Sequence, residues 1–176
     1  MAISREFEAF LREVSVRAFR IARITLRDDA DSYDAVQEAM IRMAGRYADR
    51  DAKEWPPLFH AILRNCIHDE QRRRRSRGSL LGWLAGLAGK DDEASAPEWL
   101  ASVRGPDEDA QTDQEMLRLE QALGELPLRQ REAFLLRSVE ELDVAQTAKV
   151  MRCSEGSVKT HYSRALHALR DKLGES

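Results

Sequence analysis

Apolar residues in this chain recur in steps of three and four, in separate stripes divided by turn chemistry. That periodicity admits helices packed on one another and little else. The first stripe, Phe7, Phe10, Leu11, Val14, Ala18, Ile21, Ala22 and Leu26, covers one side of a long helix. Asp28 to Asp31 interrupts it with polar turn residues. A second stripe, Ala35 or Val36, Ala39, Met40 and Met43, ends near Gly45, with Arg42 and Arg46 in its last turn. Trp55-Pro56-Pro57 forbids continuation, because proline lacks the amide a helix interior needs and restricts the residue before it. Leu58, Phe59, Ile62, Leu63, Cys66 and Ile67 form a third stripe, which runs into Arg72, Arg73, Arg74, Arg75 and Arg77. Charged residues make up 34% of the chain and aromatics 6%, a balance that favours an all-α protein.

The net charge of −3 hides an uneven distribution. Residues 1–77 carry sixteen Lys and Arg against thirteen Asp and Glu; residues 78–113 carry two against eight; residues 114–176 carry ten of each. A basic block, an acidic stretch and a neutral block leave room for local nucleic-acid contacts despite the acidic whole. Residues 78–113 also lose the periodicity, with Gly78, Gly82, Gly86, Gly89 and Gly105 punctuating them. They read as a flexible acidic linker, without fixed structure, between two helical domains of residues 1–77 and 114–176. Inside it, Leu80 to Leu87 is unusually apolar and suits either a partner contact or packing on the chain itself.

The third block opens with Met116, Leu119, Ala122, Leu123 and Leu126 on one helical face. Pro127 then starts a new helix, a position that tolerates its missing amide. Residues 144–170 have the spacing of a helix-turn-helix: a first helix of about Val144 to Met151, a turn at Arg152-Cys153-Ser154, and a second helix capped by Ser154. Val158, ten residues after the small Ala148, packs back on the first helix in this reading, and Tyr162, Leu166 and Leu169 continue its inner face. The outer face carries Ser157, Lys159, Thr160, His161, Ser163 and Arg164, with no acid between Glu155 and Asp171. A helix that enters a major groove needs such a surface.

These segments resemble the extracytoplasmic-function sigma factors. Leu126-Pro127-Leu128-Arg129-Gln130-Arg131-Glu132 followed by Leu135-Leu136-Arg137 is similar to that family's entry into its fourth conserved region. Cys153 to Thr160 and Ser163-Arg164-Ala165 are similar to its recognition helix. Asp34-Ala35-Val36-Gln37-Glu38 resembles its core-binding helix, and Ile62-Leu63-Arg64-Asn65 precedes the usual basic end of its second region. The resemblance implies a region 2 bundle in residues 1–77, a region 4 helix-turn-helix in residues 114–176, and initiation of a stress or envelope-response regulon by core RNA polymerase.

Residue roles follow from that resemblance. Asp34, Gln37, Glu38 and Arg42 would meet the coiled coil of the polymerase β′ subunit, while the second domain would meet the β flap. Residues 48–58 correspond to the loop that captures an unstacked base of the −10 element. Trp55 could offer a stacking face there, or equally anchor the core. Arg64, Asn65 and His68 would line the same strand, and Arg72, Arg73, Arg74 and Arg75 would track the backbone. At the −35 element the second domain would present Ser154, Glu155, Ser157, Lys159, Thr160, His161, Ser163 and Arg164, with Arg152 placed to touch phosphate. An anti-sigma factor that clamps the two domains is a further implied partner.

Other functions find less support. No apolar run reaches the ~20 residues of a membrane span. The first ten residues lack the basic-then-apolar order of a signal peptide, so the expected location is the cytoplasm. Cys66 and Cys153 are far apart and show no disulfide pattern. His60, Cys66 and His68 supply at most three metal ligands on poorly shared faces. No phosphate loop, nucleophile elbow or carboxylate pair is present, so neither an enzyme, a cofactor nor a small-molecule substrate is expected. Two rivals use the same residues: a stand-alone DNA-binding regulator, and a sigma mimic that titrates an anti-sigma factor without touching DNA. Lys159, Arg164 and the arginine cluster argue against the mimic.

Overall fold

A computed structural model of the chain describes residues 2–84 and 110–174. It is built from helices, and no strand occurs among the described residues. The order is α1 (Arg5–Leu26), α2 (Asp29–Tyr47), α3 (Trp55–Leu84), α4 (Ala110–Glu125), α5 (Leu128–Phe134), a wide π turn over Leu135–Val139, α6 (Val144–Met151) and α7 (Glu155–Leu173).

Local chemistry sets the boundaries. Ser4 opens α1 by accepting the Phe7 amide at 3.1 Å, and Arg27, in the left-handed region at φ 54°, closes it with an amide bond to the Arg23 carbonyl. Asp28 immediately caps α2 by accepting the Asp31 amide at 2.8 Å. Two residues therefore end one helix and begin the next. Pro56 and Pro57 lie in the first turn of α3, where no amide is required for the helical ladder.

Three apolar cores hold the helices together. The first, inside α1, α2 and α3, contains Phe7, Val14, Phe19, Val36, Met43, Phe59 and Leu63. Fully burying each large side chain of this kind contributes about 1.5–3 kcal/mol. The second joins Ile24 of α1 to Ala122, Leu123, Leu126, Leu135, Ala165 and Leu169, so it ties the N-terminal helices to α4, α5 and α7. The third, Ala133, Leu136, Leu142, Ala148, Val150, Met151 and Val158, lies within the helix-turn-helix and receives Ala61 of α3 at its edge. A cavity of about 40 Å³, lined by residues of α1, α3, α5 and α6, remains where these parts meet.

Arg131 is the main polar element of this junction. Its buried guanidinium donates to the carbonyls of Leu123, Gly124 and Leu126 at 2.9–3.0 Å, at and just beyond the end of α4, where carbonyls lack the next helical turn. It also reaches Thr25 Oγ1 of α1 at 3.2 Å. Burial pulls its pKa below the usual arginine value, and Arg27 acts in the same direction.

Two expectations are corrected. The stretch expected to lack structure from residue 78 does not begin there, because α3 runs through Gly78 to Leu84. A helical glycine costs about 1 kcal/mol against alanine, too little to stop a long helix by itself. At the other end α4 starts at Ala110, ahead of the expected boundary. The remainder of the acidic stretch, and Ala85 to Leu87 of its apolar segment, lie outside the described residues. The second difference is the π turn, where the Glu140 amide bonds the Leu135 carbonyl at 3.0 Å, a five-residue span. The helix that Pro127 was expected to start therefore does not stay regular to its end.

Candidate nucleic-acid interface

The helix-turn-helix forms with the expected residues at its joints. Asp143 and Gln146 make a reciprocal capping box at the start of α6, with bonds of 2.7 and 3.1 Å. Arg152 ends α6 in the left-handed region, at φ 54° and ψ 49°. The next amide, of Cys153, bonds the Ala148 carbonyl at 3.1 Å. Ser154 Oγ then accepts the Ser157 amide at 3.1 Å and opens α7. Ala148 and Val158 are buried against each other's helices, so α7 is held rigidly across α6. Behind it, Tyr162 stacks near Phe134, shares a 2.9 Å hydroxyl bond with Ser138, and lies under the Arg137 guanidinium.

This packing turns one face of α7 outward. Lys159, Thr160, Ser163 and Arg164 are exposed, as are Arg152, Ser154 and Glu155 at the entry to the helix. Ser157 and His161 are half-buried at the edge of that face. The Ser154 hydroxyl also donates to Ser157 Oγ at 2.9 Å, which fixes both near the helix start. The result is an exposed surface of short polar groups and cations, beginning at the amides of a helix start.

On α2, Asp34, Gln37, Glu38 and Arg42 are exposed. Glu38 and Arg42 pair at 2.7 Å, and Gln37 bonds the Tyr33 hydroxyl. Sequence reasoning missed Ile41, which is 64% exposed and stands seven residues after Asp34, on the same stripe. An apolar side chain ringed by charged and amide groups is the usual anatomy of a protein contact. The signal was present in the sequence, because Ile41 falls outside the buried stripe of Ala35, Val36, Ala39 and Met43.

The residues expected at the −10 element are placed differently from one another. Trp55 is only 5% exposed, with its ring against Phe7 at 5.0 Å and Phe10 at 5.6 Å. Of the two readings open for it, this position corresponds to the core anchor. Arg64 and His68 both turn toward Glu132 of α5, at 2.9 Å each, and Asn65 is half-buried beside them. One turn earlier, Nε2 of the buried His60 donates to Glu140 at 2.8 Å, and Arg17 of α1 reaches the same carboxylate at 3.2 Å. Burial works to raise both glutamates. For Glu132 the hydrogen bond from His68 and the charge of Arg64 outweigh it; for Glu140, His60 and Arg17 do so. Both carboxyls end below the ordinary range.

In the arginine cluster, Arg72 pairs with Asp69 at 2.6 Å and Arg73 with Glu70 at 2.9 Å. Arg74 pairs with Asp31 at 2.7 Å and also bonds the Leu26 carbonyl. Arg72 to Arg75 are all exposed. No helix among the described residues is long and apolar enough to cross a membrane.

Comparison with known proteins agrees with this geometry. Residues 116–169 match the family described as Sigma-70, region 4. The chain is 30% identical over 157 residues to the ECF RNA polymerase sigma factor EcfG of Rhodopseudomonas palustris, covering 86% of this chain and 75% of that one. It is 27% identical over 172 residues to the ECF RNA polymerase sigma factor SigM of Mycobacterium tuberculosis, covering 96% of this chain and 77% of the relative. In fold it is similar to the sigma factor RpoE of Bartonella quintana, solved with the anti-sigma factor NepR, with a TM-score of 0.63 at 23% identity and 96% of each chain covered.

Proposed function

The chain belongs to the extracytoplasmic-function RNA polymerase sigma factors, which direct core polymerase to promoters, and on that premise we propose how its residues divide the work. The helix Glu155–Leu173 reads the −35 element, with Lys159 and Arg164 on phosphate or base edges and Thr160, His161, Ser157 and Ser163 within reach of the groove. Arg152, Ser154 and Glu155 sit where the backbone enters. The observation that carries this assignment is the outward face of α7, exposed at Lys159, Thr160, Ser163 and Arg164 and free of acids between Glu155 and Asp171. Phosphate contacts of this kind supply affinity and register, and base-edge contacts supply sequence preference.

The α2 face of Asp34, Gln37, Glu38 and Arg42 docks on core polymerase, with Ile41 as its apolar anchor. Arg64, Asn65 and His68 contact the −10 strand, and Arg72 to Arg75 follow its backbone. Residues 1–77 and 114–176 act as the two functional units, and the protein works as a non-enzymatic initiation factor in the cytoplasm, where the polymerase is. Control by an anti-sigma factor is part of this proposal, supported by the fold shared with a sigma factor solved in such a complex.

Run-off transcription with purified core polymerase tests the assignment. Lys159→Glu with Arg164→Glu is expected to abolish promoter-specific initiation while co-elution with core polymerase persists. Loss of both activities together would place these residues in the folding of the protein and remove them from its DNA contact.

A further inference from the structure

Toward its C-terminal end α3 changes from a core helix to a basic one and then to an apolar one. Residues 72–84 hold five arginines and no acid, and they end in Leu80, Leu81, Trp83 and Leu84. From Arg72 to Gly78 every residue is exposed, and a Cβ placed on Gly78 would meet nothing within 4 Å. Two turns exposed on every side mean that the helix has left the bundle here.

The arginines are accessible. Arg72 pairs with Asp69, Arg73 with Glu70 and Arg74 with Asp31, but their side chains stay 74%, 61% and 40% exposed. Ion pairs so open to water hold weakly and exchange readily. Arg75 and Arg77 have no ion pair among the described residues. Register then orders the stretch. Arg73, Arg77, Leu80 and Leu84 follow at steps of four, three and four, which places them on one stripe about 60° wide. Trp83 falls about 60° round from Leu80. Basic residues occupy one end of the stripe and apolar residues the other.

We propose that Arg72–Leu84 of α3 docks the protein on the surface of an anionic phospholipid membrane, the arginines on lipid phosphates and Leu80, Trp83 and Leu84 in the interface. A basic cluster without acids draws a helix to anionic lipid, leucines gain from the acyl boundary, and tryptophan favours the level between the two. A DNA backbone would satisfy the arginines and leave the leucines with nothing to cover them. The seven residues from Arg77 to Leu84 rise about 10 Å, the depth to which interfacial helices bury their apolar side. The contact is peripheral, because the stretch is far short of the ~20 residues of a membrane span.

Co-sedimentation of the full chain with vesicles tests this. Vesicles of equal parts phosphatidylglycerol and phosphatidylcholine are compared with phosphatidylcholine alone at low ionic strength. Binding to the anionic vesicles is expected to be at least about tenfold tighter. Arg77→Gln should weaken it about fivefold, the share of one basic residue near such a surface. Leu80→Ser with Leu84→Ser should weaken it by roughly tenfold or more. Bromine-labelled lipid should quench the tryptophan fluorescence of the chain, and Trp83→Phe should abolish the quenching.

Absence of binding, equal binding to both kinds of vesicle, or quenching that survives Trp83→Phe overturns the proposal. So does anionic binding indifferent to Leu80→Ser with Leu84→Ser, which would reduce the contact to charge alone. A dimer in gel filtration that the same leucine variant dissolves, with no vesicle binding, overturns it in favour of a second copy of the chain. Promoter-specific initiation by the leucine variant with core polymerase establishes that it is folded, since Leu80 and Leu84 lie outside the residues assigned to DNA and polymerase. If that variant misfolds, Arg77→Gln and the quenching of Trp83 carry the decision.

Discussion

Replacing Arg152 by glycine is expected to move stability and DNA binding in opposite directions. Arg152 ends α6 with φ 54° and ψ 49°, where a side chain costs about 1–2 kcal/mol. Glycine removes that cost but gives the unfolded chain more freedom, a penalty of about 0.5–1 kcal/mol. Both backbone bonds of the turn, Arg152 to Lys149 and Cys153 to Ala148, survive the change. The exposed guanidinium makes little contribution to packing. The net expectation is a gain of about 0.5–1 kcal/mol, or roughly 1–4 °C in Tm for a protein of this size. Promoter binding responds the other way. Loss of one phosphate contact should flatten the plot of log affinity against log salt by about 0.9. Differential scanning calorimetry of the chain, and fluorescence anisotropy of the holoenzyme on −35 duplex across a KCl series, measure the two effects. A fall in Tm refutes the strain argument, and an unchanged salt slope refutes the phosphate contact.

Three further outcomes are expected. Trp55→Phe should change stability by less than about 1.5 kcal/mol, because the indole N–H is buried without a partner, whereas Trp55→Ala should cost about 3–5 kcal/mol in urea unfolding. Ile41→Ala should weaken binding to core polymerase by about 1–2 kcal/mol, roughly tenfold by titration, and leave the Tm unchanged. Glu132 and Glu140 are held below the ordinary carboxylate range, facing Arg64, His68 and Arg129 in one case and His60 and Arg17 in the other. Their contribution is present above the unfolded value near 4.3 and is lost as pH falls through the folded values. Acid titration followed by scattering should therefore open the chain, and Glu132→Gln with Glu140→Gln should remove that dependence.

Much of the architecture was legible because its causes are local. The stripe from Phe7 to Leu26, the cap at Ser154 and the pairing of Ala148 with Val158 all follow from periodicity and short-range hydrogen bonding. Trp55 was not decidable on that basis. Its neighbours Phe7 and Phe10 are more than forty residues away, and no periodic pattern reports such a contact. The same holds for Glu132 and Glu140, which look in the sequence like ordinary acids of a solvated helix. Their partners lie 64 to 123 residues away. The onset of the acidic stretch was misjudged for another reason: composition changes at Gly78, but a helix already thirty residues long in its final form is not ended by one glycine.

The wide turn over Leu135–Val139 sets the angular phase of everything that follows it. Eight residues of regular α-helix from Glu132 would leave Glu140 about 80° around the axis, facing away from its partners. One extra residue in the turn absorbs about 100°, which brings the second carboxylate back to within about 20° of the first. Inserting a single residue between positions 135 and 139 would act as a key cut one tooth out of phase. The first acid would still meet Arg64 and His68, the second would sweep away from His60 and Arg17, and α6 and α7 would swing round with it.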